Sequence, residues 1–231
     1  MRTLLLTLIL ISTQALALPA LEGIAKFSNC SGALVIFEGM PTTARALIVT
    51  NAKCLTGRLP RPNAVLSNRL TLRSVSLFDA SGKAHAFTAR RLLYATLTQT
   101  DLALYELAES YNDVQFKTSV RPFFVSVAPP VVGQDLEFIS AFGPKRWSCQ
   151  VQGFVRELRD ERWRFSDVIR LTEDCAVEDS PRGMPAVDLP TRTLFALQGP
   201  RGFAQQVAAL GSCFNEKFEM DLELNGCELP K

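Results

Sequence analysis

Leu47-Ile48-Val49-Thr50-Asn51-Ala52-Lys53-Cys54-Leu55 opens as a run of apolar, largely β-branched residues and then stops at a polar pair, a small residue, a lysine and a cysteine. Such a run suits a buried β-strand that ends in a turn. The same grammar repeats on either side, in Cys30-Ser31-Gly32-Ala33-Leu34-Val35 upstream and Thr100-Asp101-Leu102-Ala103-Leu104-Tyr105-Glu106-Leu107 downstream. Strands are expected over 32–37, 44–50, 70–78, 87–93, 102–107, 136–142, 149–157, 168–171, 186–188, 193–197 and 206–210, with Gly, Pro, Asn or Ser at the breaks and few long amphipathic helical patterns. That predicts an all-β protein. The stretch 111–130 breaks the rhythm with Asn112, Asp113, Gln115 and Lys117, then Pro129-Pro130, and reads as a connector between two halves. Each half holds about six strands, the number at which a short sheet can close and lose its edges.

Taken in order with Ser180-Pro181-Arg182-Gly183-Met184-Pro185-Ala186-Val187-Asp188, these segments resemble the catalytic motifs of the trypsin-like, chymotrypsin-fold serine proteases. The stretches around Cys30 and Lys53 are similar to the family's Cys-Ser/Gly-Gly strand and Thr-Ala-Ala-His-Cys block. Thr100 to Leu107 looks like its Asp-Ile/Leu-Ala-Leu segment, and the stretch around Arg182 resembles Gly-Asp-Ser-Gly-Gly-Pro with one glycine and the proline kept. Phe142-Gly143-Pro144, closing the stretch 136–144, is similar to the turn that opens the second barrel in bacterial members. The resemblance runs over 21–211 and rests on order and spacing. It implies two six-stranded antiparallel Greek-key β-barrels, divided here as 18–115 and 116–231, with the site in the cleft between them.

Carried over residue by residue, the resemblance puts the family's histidine at Lys53, its aspartate at Asp101 and its nucleophile at Arg182. The chemistry needs a hydroxyl nucleophile, an imidazole that takes its proton, and a carboxylate that orients the imidazole. Only Asp101 remains. An exposed lysine stays protonated near neutral pH, and arginine has no hydroxyl and never gives up its charge. The oxyanion-equivalent positions, Ser180 and Arg182, are also altered, because Ser180 stands where the family has a glycine. One alternative keeps activity through a Ser180/Lys53 dyad; another would use His85 as base, but Ser81-Gly82-Lys83-Ala84-His85 reads as a hairpin turn away from the motif strands. A buried Asp101 without its imidazole needs a countercharge. Ion pairing of Asp101 with Lys53, and with Arg182, is therefore expected.

The family pairs a cysteine ahead of its first motif with the one after the histidine, which implies Cys30–Cys54. Cys149 opens one expected strand and Cys175 closes the next, so antiparallel pairing would set them opposite each other, leaving Cys213 and Cys227 to close a C-terminal loop. Cross-pairings such as Cys175 with Cys213 remain alternatives. Zinc does not suit these cysteines: no two have C-x₂₋₄-C spacing, and His85 is the sole histidine, so no metal and no cofactor is expected.

The first seventeen residues read as an export signal, with Arg2, the apolar run 4–11 and the small-x-small site Ala15-Leu16-Ala17. That run is shorter than the ~20 residues a bilayer demands, and charges interrupt the later apolar runs, so a secreted or periplasmic protein without a membrane span is expected. Six cysteines fit an oxidising compartment. A formal net charge of +2 offers no general field for nucleic acid or an anionic membrane. The alternating charges of 156–164 read as a solvated hairpin tip without a function, and Asn29-Cys30-Ser31 is a glycosylation sequon only in a eukaryotic host. The expectation is a monomeric pseudo-protease that engages a protein or peptide ligand, the alternative being an active serine endopeptidase.

Overall fold

The computed structural model describes residues 21–143, 145–173, 175 and 182–231. The expected export signal at 1–17 and Ser180 lie outside the described residues. The strands are β1 (Ile24–Lys26), β2 (Ser31–Ile36), β3 (Arg45–Thr50), β4 (Val65–Phe78), β5 (Ala84–Thr96) and β6 (Leu102–Ser110), then β7 (Phe123–Val125), β8 (Asp135–Ile139), β9 (Arg146–Asp160), β10 (Trp163–Leu171), β11 (Pro185–Asp188), β12 (Thr193–Gln198) and β13 (Phe203–Gln206). One helix, α1 (Tyr111–Thr118), follows β6, and 3-10 turns form at Ala52–Cys54 and Ala208–Cys213.

Pairing closes the strands into two rings. β1, β4, β5, β6, β3 and β2 follow one another, and β2 returns to β1 with Ala33 opposite Ile24. In the second ring β12, β11, β8, β9, β10 and β13 follow, and β13 returns to β12 with Gln206 opposite Ala196. Within both rings every neighbour is antiparallel. β7 is the joint: it runs parallel to β2 on one side and to β12 on the other. This is the two-barrel architecture that the resemblance implies, and closure leaves neither barrel a free sheet edge along its whole length.

The apolar runs go where their pattern demands. All six residues of β2 are buried, as are Ala46 to Thr50 of β3 and Leu102 to Tyr105 of β6, because these strands have barrel core on one face and packed chain on the other. The larger core cluster reaches from Leu34, Ile48 and Leu104 through Phe123 of β7 to Val187 and Leu194, so the barrels share buried surface. A smaller cluster, with Phe138, Ile169 and Met184, fills the second barrel.

The sequence reading missed several elements. β1 and β7 were not expected, β4 and β5 run well beyond 70–78 and 87–93, and β13 precedes the expected 206–210, part of which forms the 3-10 turn. The connector contains α1, started by a reciprocal cap: Ser110 Oγ accepts the Asp113 N–H at 3.1 Å, and Asp113 Oδ2 accepts the Ser110 N–H at 2.9 Å. Three disulfides join Cys30 to Cys54, Cys149 to Cys175 and Cys213 to Cys227, which suits an oxidising compartment. Among the described residues no helix is long and apolar enough to cross a membrane.

Candidate functional site

At the end of β3 the chain tightens into the 3-10 turn Ala52–Cys54, pinned to the start of β2 by the Cys30–Cys54 disulfide. Asp101, just ahead of β6, engages this turn: its Oδ1 accepts the Lys53 N–H at 2.9 Å. The Asn51 side chain fixes the same junction by donating to the Asp101 carbonyl at 2.8 Å. Asp101 is 6 % exposed, and burial lifts its carboxyl to about 6, while the Lys53 N–H bond and the charges of Lys53 and Arg182 pull the other way.

The Lys53 ammonium does not pair with that carboxylate. Its partner is the Asp160 carboxylate at the end of β9, and it lies over the rings of Trp163 at 5.0 Å and Phe165 at 5.6 Å. Only 6 % of the lysine side chain is exposed. Among the described residues no ion pair joins Asp101 to Lys53 or to Arg182, so the expected ion-pair cluster is corrected. The physical reason is competition: the β9–β10 hairpin offers the ammonium a carboxylate and two π faces together, whereas Asp101 is already engaged by the turn's N–H.

Arg182 sits at the mouth of a second junction. Its carbonyl accepts the Ser31 N–H at 2.8 Å, Ser31 Oγ accepts the Ala141 N–H at 3.0 Å, and Thr50 Oγ1 donates to the Ser31 carbonyl at 2.6 Å. Gly183 has φ +84°, and a Cβ there would stand 2.1 Å from the Ser31 carbonyl oxygen, so only glycine fits. The Arg182 side chain is exposed and reaches Asp101 only through its field. Ser180, one half of the alternative dyad, lies outside the described residues, and the other half holds its ammonium against Asp160. His85 is on β5, with Nε2 2.8 Å from Asp79 Oδ2, and is not brought to the site.

The hairpin is what the sequence reading missed. Residues 156–164 do form its tip, but they are not merely solvated. Asp160 stands opposite Trp163 and Leu158 opposite Phe165, so these four share one face, while Glu157, Arg159 and Arg164 lie on the other. The inner face crosses to the first barrel: Gln99 donates its N–H to the Arg164 carbonyl at 3.1 Å and accepts the Ser166 N–H at 2.7 Å. Trp163 is 5 % exposed and Phe165 fully buried. A tryptophan inside an alternating-charge run is the one signal that could have marked that face.

No family model matches the chain, and no curated protein matches it by sequence. Among solved structures it is similar to the MamO protease domain from Magnetospirillum magneticum in its apo form, at 17 % identity with a TM-score of 0.56, covering 85 % of this chain and 98 % of that one. Deg5 follows at 16 % identity, TM-score 0.49, with 80 % and 84 % covered. Nocardiopsis protease follows at 12 % identity, TM-score 0.48, with 81 % and 92 % covered. The first of these establishes the fold, that of the trypsin-like proteases; what the chain does has to be read from its own side chains.

Proposed function

We propose that this chain is an exported, non-catalytic protease homologue that engages a protein or peptide without hydrolysing it. One observation carries the reading: Lys53, which the sequence aligns with the family's base, has its ammonium paired with Asp160 and covered by Trp163 and Phe165. A lysine so engaged has no lone pair to accept a proton, and Arg182 has no hydroxyl to lend. Asp101 is left orienting a backbone N–H instead of an imidazole. The Ser180/Lys53 dyad would require Lys53 to abandon Asp160 and both rings.

Three disulfides support an extracytoplasmic site of action. The test is to incubate the purified protein with a fluorophosphonate probe and, separately, with casein. No labelling and no cleavage are expected. Labelling that disappears in Ser180→Ala would restore the peptidase reading.

A further inference from the structure

Beside the β9–β10 hairpin, a cavity of about 330 Å³ opens against the loop that precedes β6, with Leu97, Thr98, Arg162, Trp163 and Arg164 among its walls. Two of its polar atoms lack a partner. Trp163 is 5 % exposed, yet its indole Nε1 has no partner, and the buried Thr98 Oγ1 has none either. Arg162 stacks on the Trp163 ring at 4.5 Å and forms no ion pair among the described residues. The single carboxylate of the described walls, Glu157, is shared between Arg159 at 3.2 Å and Arg164 at 3.8 Å. A buried N–H without an acceptor is uncommon, because desolvation without a replacement bond is unfavourable, and here it coincides with an unpaired guanidinium.

We propose that this cavity is a carboxylate site that takes an Asp or Glu side chain from an acidic segment of a protein partner. Arg162 supplies charge and the planar fork that suits a carboxylate, and the indole N–H and the threonine hydroxyl supply neutral donors. Pro62 provides apolar wall for the methylenes of the incoming side chain, which a free inorganic ion would leave uncovered. The site shares Trp163 with the Lys53 cover, so its occupant rests on the same hairpin. The inference rests on the inert-cleft reading, since an active peptidase would consume such a segment.

The test is a fluorescence-anisotropy titration of the full exported protein with fluorescein-labelled hexaglutamate, with hexaglutamine as control and inorganic phosphate as competitor. Hexaglutamate is expected to bind and hexaglutamine not. Arg162→Ala should weaken the complex by about tenfold and Thr98→Val by about threefold, in line with loss of a charged and a neutral hydrogen bond. Absent binding, equal binding of the two peptides, affinity unchanged by Arg162→Ala, or displacement by phosphate at the concentration of peptide carboxylate would each overturn the site. Mass spectrometry of the recovered peptide separates the two readings: intact peptide without binding sinks this site alone, whereas cleaved peptide sinks the inert reading and the site with it.

Discussion

Asp101 is a carboxylate buried at the junction between the 3-10 turn and β6. Among the described residues no ion pair reaches it, and burial, outweighing the Lys53 N–H bond and the charges of Lys53 and Arg182, lifts its carboxyl to about 6 from an ordinary value of 3.8. The native state then keeps this proton through a pH range in which the unfolded chain has released it. Between those two values the unfolded state binds fewer protons, so stability falls as pH rises, and above about 6 the whole penalty, about 3 kcal/mol, is present. Asp101→Asn keeps an oxygen for the Lys53 N–H and removes the charge. Urea melts at pH 3 and pH 8 should show the variant equal to wild type at the acid end and more stable by up to about 3 kcal/mol at the alkaline end; a difference independent of pH would refute this. The sequence displayed the residues of this pocket plainly, since Lys53 and Asp101 stand in ordered motifs. It could not display the partner of Lys53, because Asp160 is over a hundred residues away and enters only once the second barrel has folded.

At the scale of elements, the β9–β10 hairpin brings Asp160, Trp163 and Phe165 onto Lys53. Its legibility was poor for a specific reason: cross-strand register sorts the tip into an outer face of Glu157, Arg159 and Arg164 and an inner face of Asp160, Trp163 and Phe165, and a linear reading mixes the two. The barrels' central strands were legible because β2, most of β3 and the first half of β6 are buried and read as apolar runs. Helix α1 carried a readable cap in Ser110 and Asp113, outweighed by the polar composition that followed. If the hairpin is held by its inner face, charge and packing at Lys53 should separate. Asp160→Asn leaves a nearly buried ammonium without its anion and should lower stability by about 1–3 kcal/mol, reduced from the fully buried case because Asp160 retains some exposure. Lys53→Met keeps the stem between Trp163 and Phe165 and should stay within about 1 kcal/mol of wild type. The double variant should resemble Lys53→Met alone in chemical denaturation; simple additivity would mean the pair is not coupled.

Across the whole molecule, charged contacts at Glu22 and at Lys53–Asp160 join the barrels in addition to β7 and to the backbone bonds of Gln99 and Ser31, and the Glu22 contact responds to pH in the opposite sense to Asp101. Glu22, just ahead of β1, accepts from Arg121 Nε at 2.9 Å and Nη2 at 2.8 Å, and from Arg192 Nη1 at 3.1 Å in the β11–β12 turn. Arg192 also donates to the Arg121 carbonyl at 2.7 Å and lies 4.6 Å from the Phe123 ring centre, so one buried carboxylate gathers the first barrel, the connector and the second barrel. The Arg121 hydrogen bond is the chief reason the Glu22 carboxyl sits below its ordinary range. A depressed carboxyl stabilises the fold above its unfolded value near 4.5 and loses that contribution as pH falls through the lower folded value. Glu22→Gln should therefore cost about 1–3 kcal/mol at pH 7, and the cost should shrink progressively as pH falls below about 4.5. The second tie is the Lys53–Asp160 contact of the hairpin. Both tryptophans, Trp147 and Trp163, are in the second barrel, so fluorescence follows that barrel while far-ultraviolet circular dichroism follows both. Wild type should give one coincident unfolding transition by the two probes, because the shared core and both ties couple the barrels. The Glu22→Gln/Asp160→Asn double variant should split them, with the fluorescence midpoint departing from the dichroism midpoint; coincident curves in that variant would show that β7, the shared core and the Gln99 and Ser31 bonds suffice to make the two barrels one cooperative unit.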